Sequence, residues 1–326
     1  MGFHKVHDAT VHADALSPRL VHRFSEIMRQ GPPLFVGRIG GSDYDLVVEH
    51  FNDPRRFASD ERYAYGVGRV REFNGYFDVE DRRENFVRFL EDLAVYYRSA
   101  DALLYGGGKL IHGFERNRFK KADSRFLDHV CGGKELITYT FIEELSPFLE
   151  SFRDWGQGKR ILVVSPLSRS VESQYRRKDE LIKGYRFPEF ELATYNSNVT
   201  YSTAGDTTAT LGVTTRNWHE ECLRMAHDIA EIDFDIALLS CASYALFLGD
   251  FIRNRLRRTA LYMGGVLSPM FNIYGPRYDD EHFNGLMNLE RQIDPIENEE
   301  VERLQGGRSR HSEALHAYFG RRSSSP

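Results

Sequence analysis

Four glycine-rich turns hold the residues of this chain best suited to chemistry on an anion. The first carries Arg38, Gly40, Gly41, Ser42 and Asp43, with Asp45 close behind. The second is Gly106-Gly-Gly-Lys109, followed by His112. The third runs from Ser165 through Ser168, Arg169 and Ser170 to Gln174, and the fourth is Gly264-Gly265. Glycine lets a backbone approach a ligand closely, and the N–H groups of a following helix start favour phosphate. The guanidinium groups of Arg38 and Arg169 add charge that pairs with phosphate or carboxylate.

Asp43 is the candidate metal ligand, because Mn2+ or Mg2+ beside a diphosphate takes carboxylate and phosphate oxygens together. Asp43, His112 and Asp206 are the candidates for a base acting on a hydroxyl, and pattern alone does not rank them. A plainer reading stands beside each of these. Ser42 or Asp43 can cap a helix over residues 43–51, Arg38 can make an internal ion pair, and the turn at Ser165 can be a capped helix. Tyr195, Tyr201, Phe271 and Tyr274 can stack on a sugar or a base, or can belong to a core. There is no dinucleotide fingerprint, no phosphate-loop lysine motif, no Gly-x-Ser-x-Gly elbow and no HExxH. Hydrolase readings therefore lack support, and a phosphotransferase is left as a lower, third reading.

Short apolar runs closed by small residues must carry these turns. They fall at 34–38, 102–105, 136–139, 160–165, 235–240 and 260–263. Near-continuous apolar strands predict a parallel sheet buried on both faces. Helical spacing appears over 80–99, 215–232 and 242–258, with Thr214 or Thr215 as the cap of the second. A helical lead-in is expected over about 14–30. Strand and helix alternate, which predicts an α/β fold: a doubly wound, mainly parallel, Rossmann-like sheet with helices on both faces. Residues 195–215 read as a long polar surface loop. One large domain, 1–302, is expected to precede a basic tail, 303–326, with five arginines against one glutamate.

The chain has 326 residues and a net charge of −5, so it lacks the positive excess of a general nucleic-acid binder. Hydrophobic residues make up 41% and charged residues 28%, the balance of a globular protein. Three scattered cysteines argue against a disulfide framework or a structural zinc site. No leading apolar stretch reads as a signal peptide, so the expected location is cytoplasmic, with the arginine-rich tail able to touch an anionic inner-membrane surface.

Taken in order, Phe35-Val-Gly-Arg-Ile-Gly-Gly-Ser-Asp-Tyr-Asp45, Ile161-Leu-Val-Val-Ser-Pro166 with Ser170 and Gln174, Asp235-Ile-Ala-Leu-Leu-Ser240, and Tyr262-Met-Gly-Gly-Val-Leu267 with Phe271, Tyr274 and Gly275 form a recognisable series. It resembles the GT-D-type bacterial glycosyltransferases, over roughly residues 32–277. The resemblance implies a Rossmann-like transferase that uses a nucleotide-sugar donor and a saccharide or lipid-linked glycan acceptor, in surface polysaccharide assembly. In that family the first turn usually reads Arg-Phe-Gly-Asp-Gly-Glu, whose acid pair binds metal and diphosphate. Gly41 and Asp43 occupy the matching positions, so one acid is kept in kind and the other is missing. That departure leaves two readings: a transferase with a weakened cation site, or a non-catalytic nucleotide-sugar-binding module.

Overall fold

The computed structural model describes residues 10–12, 16–39, 42–105, 124–202, 207–305 and 319–321. Its centre is a sheet of eight parallel strands: β1 (Thr10–His12), β2 (Leu34–Arg38), β3 (Ala102–Tyr105), β4 (Glu135–Thr138), β5 (Arg160–Val164), β6 (Glu191–Tyr195), β7 (Ile236–Leu239) and β8 (Thr259–Tyr262). They lie in the order β1-β4-β3-β2-β8-β7-β5-β6. Six apolar runs in the sequence correspond to the six inner strands, within a residue or two at their ends. The two strands that the apolar pattern misses, β1 and β6, are the edges of the sheet. An edge strand is not buried on both sides, and Glu191 and Thr194 of β6 are exposed or half-buried.

Helices cover both faces. They are α1 (Pro18–Arg29), α2 (Ser42–Asn52), α3 (Asp60–Asn74), α4 (Arg83–Ser99), α5 (Ser124–Cys131), α6 (Thr140–Glu143) and α7 (Ser146–Trp155) in the first half. The second half adds α8 (Ser168–Tyr175), α9 (Thr208–Leu211), α10 (Trp218–Ala230), α11 (Tyr244–Phe251), α12 (Leu267–Met270), α13 (Glu281–Leu286) and α14 (Asn298–Gln305). Alternation along the strands sorts them into two layers. Leu34, Val36, Ile161 and Val163 pack with Phe24 of α1, Phe148 of α7, Val171 of α8 and Leu267 of α12. Phe35, Leu162 and Val164 pack on the other side with Val47 of α2, Phe89 of α4, Trp218 of α10 and Leu246 of α11.

Three local expectations are corrected. The cap of α10 is Asn217, whose side chain accepts from Glu220 N at 3.0 Å. Thr215 instead donates its hydroxyl to Glu221 at 2.7 Å. The helix expected over 242–258 ends as α at Phe251 and widens into a π turn, Ile252–Leu256, before a left-handed Arg257. The stretch 195–215 is not a surface loop over its described part. Ser197, Thr200, Ser202, Leu211 and Val213 are buried, and Thr200 donates its hydroxyl to Gly75 O at 2.8 Å. Short polar side chains that bond to backbone mimic solvent-facing composition while lying inside.

At the C-terminal end, α14 runs through the expected tail boundary. Beyond it Phe319 is buried, and Arg321 pairs with Glu302 at 3.2 Å. No helix among the described residues is long and apolar enough to cross a membrane.

Helix α11 approaches β2 closely at Gly249, where a Cβ would overlap the Phe35 ring. Gly249→Ala should therefore cost about 1–3 kcal/mol through overpacking, despite alanine's better helix propensity. Urea unfolding checks this, and an unchanged or raised midpoint would show that the contact yields easily.

Candidate functional site

The carboxyl ends of neighbouring parallel strands open a crevice where their outgoing chains leave on opposite faces. Strand β2 feeds α2 on one face and β8 feeds α12 on the other, and β2 and β8 are neighbours. Arg38 is the last residue of β2 and stands at this point.

Its surroundings are aromatic rather than ionic. The guanidinium carbon lies 3.7 Å from the centre of the Tyr139 ring and 5.9 Å from that of Tyr262. Tyr139 follows β4, and its hydroxyl donates to Met263 O at 2.7 Å, which ties the β4 turn to the β8 turn. Gly264 completes the cradle with φ of +61°. A Cβ there would come within 2.5 Å of Arg38 Nη1 and 2.7 Å of the Tyr139 oxygen. Only glycine satisfies both the left-handed backbone and this closeness.

Arg38 Nε is buried and has no hydrogen-bond partner, and among the described residues its guanidinium forms no ion pair. Burial works against its charge, but Tyr139, Tyr262 and Glu143 more than offset it, so the group stays protonated. Cation–π contacts contribute about 0.5–2 kcal/mol. Withdrawing an unpaired charge from water costs several kcal/mol, reduced here by the partial exposure of the side chain. The rings alone do not make up the difference. Glu143 adds to them, and an oxyanion beside the guanidinium would add more.

Asp43, on the opposite face, is 2% exposed. Its Oδ2 accepts from the Tyr97 hydroxyl at 3.0 Å, while Oδ1 has no partner. Burial raises its pKa, partly countered by Tyr97 and by the charge of Arg38. Among the described residues no group of three or more His, Cys, Asp or Glu side chains is arranged to hold a metal ion. Asp43 Oδ1 is the atom of this turn open to a Mn2+ or Mg2+ ion, and no step is assigned to a cation. Ser42 donates to Asn74 Oδ1 at 2.5 Å, and its carbonyl accepts from Arg69 of α3 at 3.3 Å. The first turn is thus braced against α3. Gly40, Gly41, Gly106, Lys109, His112 and Asp206 lie outside the described residues.

The third turn belongs to a different network. Ser165 is fully buried, and its Oγ accepts from Leu167 N at 3.1 Å. Ser168 is buried at the start of α8. Ser170 donates both its N–H, at 3.0 Å, and its hydroxyl to the carboxylate of Glu297. Its Oγ also accepts from Ile296 N at 2.8 Å. Gln174 donates to Asn272 O at 3.0 Å and Arg291 O at 2.8 Å. Arg169, 52% exposed, pairs with Glu300 at 3.2 Å. The anion at the start of α8 is therefore the chain's own Glu297, and this turn clamps the C-terminal segment to the sheet. Gly265 is buried beside Gly264 in the β8 turn.

Of the aromatic candidates, Phe271 is core, stacked on Phe187 at 6.1 Å. Tyr195 donates to Asp228 at 2.8 Å and Tyr274 to Asp279 at 3.2 Å, and Tyr201 is half-buried against the core. The residues that do frame Arg38 are Tyr139, Tyr262 and Glu143. Their one sequence signal was position, at or just after a strand's carboxyl end.

Fold and site together define an α/β protein with a guanidinium set among aromatic rings at the carboxyl ends of its central strands. No family model, curated protein or solved structure compared with the chain matches it.

The raised pKa of Asp43 has a definite sign in stability. The folded value lies above that of the unfolded chain, near 4, so the group's contribution is complete below about pH 4 and declines as pH rises through the folded value. Asp43→Asn lacks that decline. Its stability relative to the parent should rise from pH 4 upward and level off above the folded value in urea titrations. A gap that instead grows towards acid would mean that Asp43 is charged in the folded state.

Proposed function

We propose that the chain is a glycosyltransferase that moves a sugar from a nucleoside diphosphate sugar to a saccharide or glycan acceptor. The observation that carries this is the half-buried guanidinium of Arg38, set at a strand switch point with no direct ion pair among the described residues. Transfer of a glycosyl group needs charge stabilisation where the diphosphate departs. A preorganised cation held against an aromatic ring supplies it without reorganisation. A Rossmann-like, GT-D-like architecture agrees with the parallel sheet and the series of motifs that the sequence presents. The acceptor's proton would go to Asp43, Asp206 or His112. Work on surface polysaccharide at the cytoplasmic side of a membrane, with contact through the arginine-rich tail, belongs to the same reading.

One observation favours a second reading. Asp43 is buried, and burial raises its pKa against the opposing pull of the Tyr97 hydroxyl and the Arg38 charge. A carboxyl shifted towards its neutral form is a weaker cation ligand, which suits a module that binds a nucleotide sugar without reacting it.

Nucleoside diphosphate release from UDP-, GDP- and dTDP-linked hexoses, with a glycan acceptor mixture present, separates the readings. The transferase should release nucleotide from at least one donor. Arg38→Met should cut the rate about 100-fold or more while leaving the melting temperature within a few degrees. Binding without release supports the module. No binding by any donor contradicts both.

A further inference from the structure

Arg38 does not stand alone in its crevice. Glu143 lies one helical turn beyond Tyr139, its N–H donating to Tyr139 O at 3.1 Å. Residues four apart share one side of a helix, which puts Glu143 on the Tyr139 side of this turn. Glu143 in turn holds Arg277, with Nη2 to Oε1 at 3.8 Å and side chains 12% and 16% exposed. Arg277 belongs to the turn Pro276–Tyr278, far along the chain from β2. The charges of Glu143 and Arg277 both act on the Arg38 guanidinium. The result is a chain of groups, Arg38–Tyr139–Glu143–Arg277, with two cations around a single acid.

We propose that Arg38 and Arg277 form a two-guanidinium receptor that selects a diphosphate over a single phosphate, with Glu143 holding Arg277 in place. The inference rests on the anion-binding part of the functional reading and not on sugar transfer. A lone phosphate is matched by one fork of donors. A diphosphate offers a second set of oxygens and more charge, which a second guanidinium can engage. Arg277 is thus a specificity residue and Glu143 a positioning residue. The diphosphate could come from a nucleotide or from a prenyl-linked lipid, since both present the same group.

The test is calorimetric titration of the full chain with inorganic phosphate, inorganic pyrophosphate, UDP and geranyl diphosphate. Pyrophosphate should bind about tenfold or more tighter than phosphate, a difference of about 1.4 kcal/mol or more. Arg38→Met should lose both. Arg277→Met should lose the preference and keep phosphate affinity within about twofold. Because that variant removes the cation paired with half-buried Glu143, the pair Glu143→Gln with Arg277→Met provides the neutral equivalent, with the same expected outcome. Tighter binding of UDP than of geranyl diphosphate assigns the group to a nucleotide, and the reverse assigns it to a lipid; either supports the receptor. Equal affinity for phosphate and pyrophosphate, or a preference that survives in the double variant, overturns it. Loss of sugar transfer with this preference intact would sink the transferase reading alone.

Discussion

An arginine stacked on a tyrosine, with no carboxylate paired directly to it, is the constraint around which the carboxyl ends of the central strands are arranged. Arg38 must leave β2 in line with the ring of Tyr139, which requires β4 to end two strands away. The ring is fixed because its hydroxyl reaches Met263 O across the β8 turn. That turn must then carry glycine at 264, since any side chain would strike the guanidinium. Three separate turns are thereby locked by one cation, and the fold supplies them by ordering its strands so that β2 and β8 are neighbours.

A second electrostatic device serves structure rather than ligand. Helix α8 begins at Ser168, and the chain satisfies its first turn with the Glu297 carboxylate. A carboxylate at a helix start is favourable in the way that a phosphate would be. Here it fastens residues 288–305 across the sheet, together with Gln174 and Asn272, which bond to backbone of the same segment. The two ends of the sheet edge therefore differ in kind. Around β5 the positive ends are occupied internally, and at β2 the charge is left open.

Much of the architecture could be read from residues, and the reasons are local. Strands β2, β3, β5, β7 and β8 are covered on both faces, so Leu34, Leu103, Val163, Leu238 and Leu261 form unbroken apolar runs. The edges β1 and β6 carry no such run. The site was half legible. Arg38 and Gly264 stand at strand ends, where the carboxyl-edge rule points. Tyr139, Glu143 and Arg277 were not visible, because their neighbours come from segments more than 100 positions away. The same distance hid Glu297, 127 positions from Ser170. A free helix start and one capped by a remote carboxylate look alike in sequence.

A crystal structure of the chain grown with UDP tests the central claim most directly. Phosphate oxygens should sit within hydrogen-bond distance of the Arg38 guanidinium, with Tyr139 still beneath it and the Gly264 backbone alongside. A nucleotide bound at another place, with Arg38 unchanged against its ring and no anion in the crevice, would contradict the account.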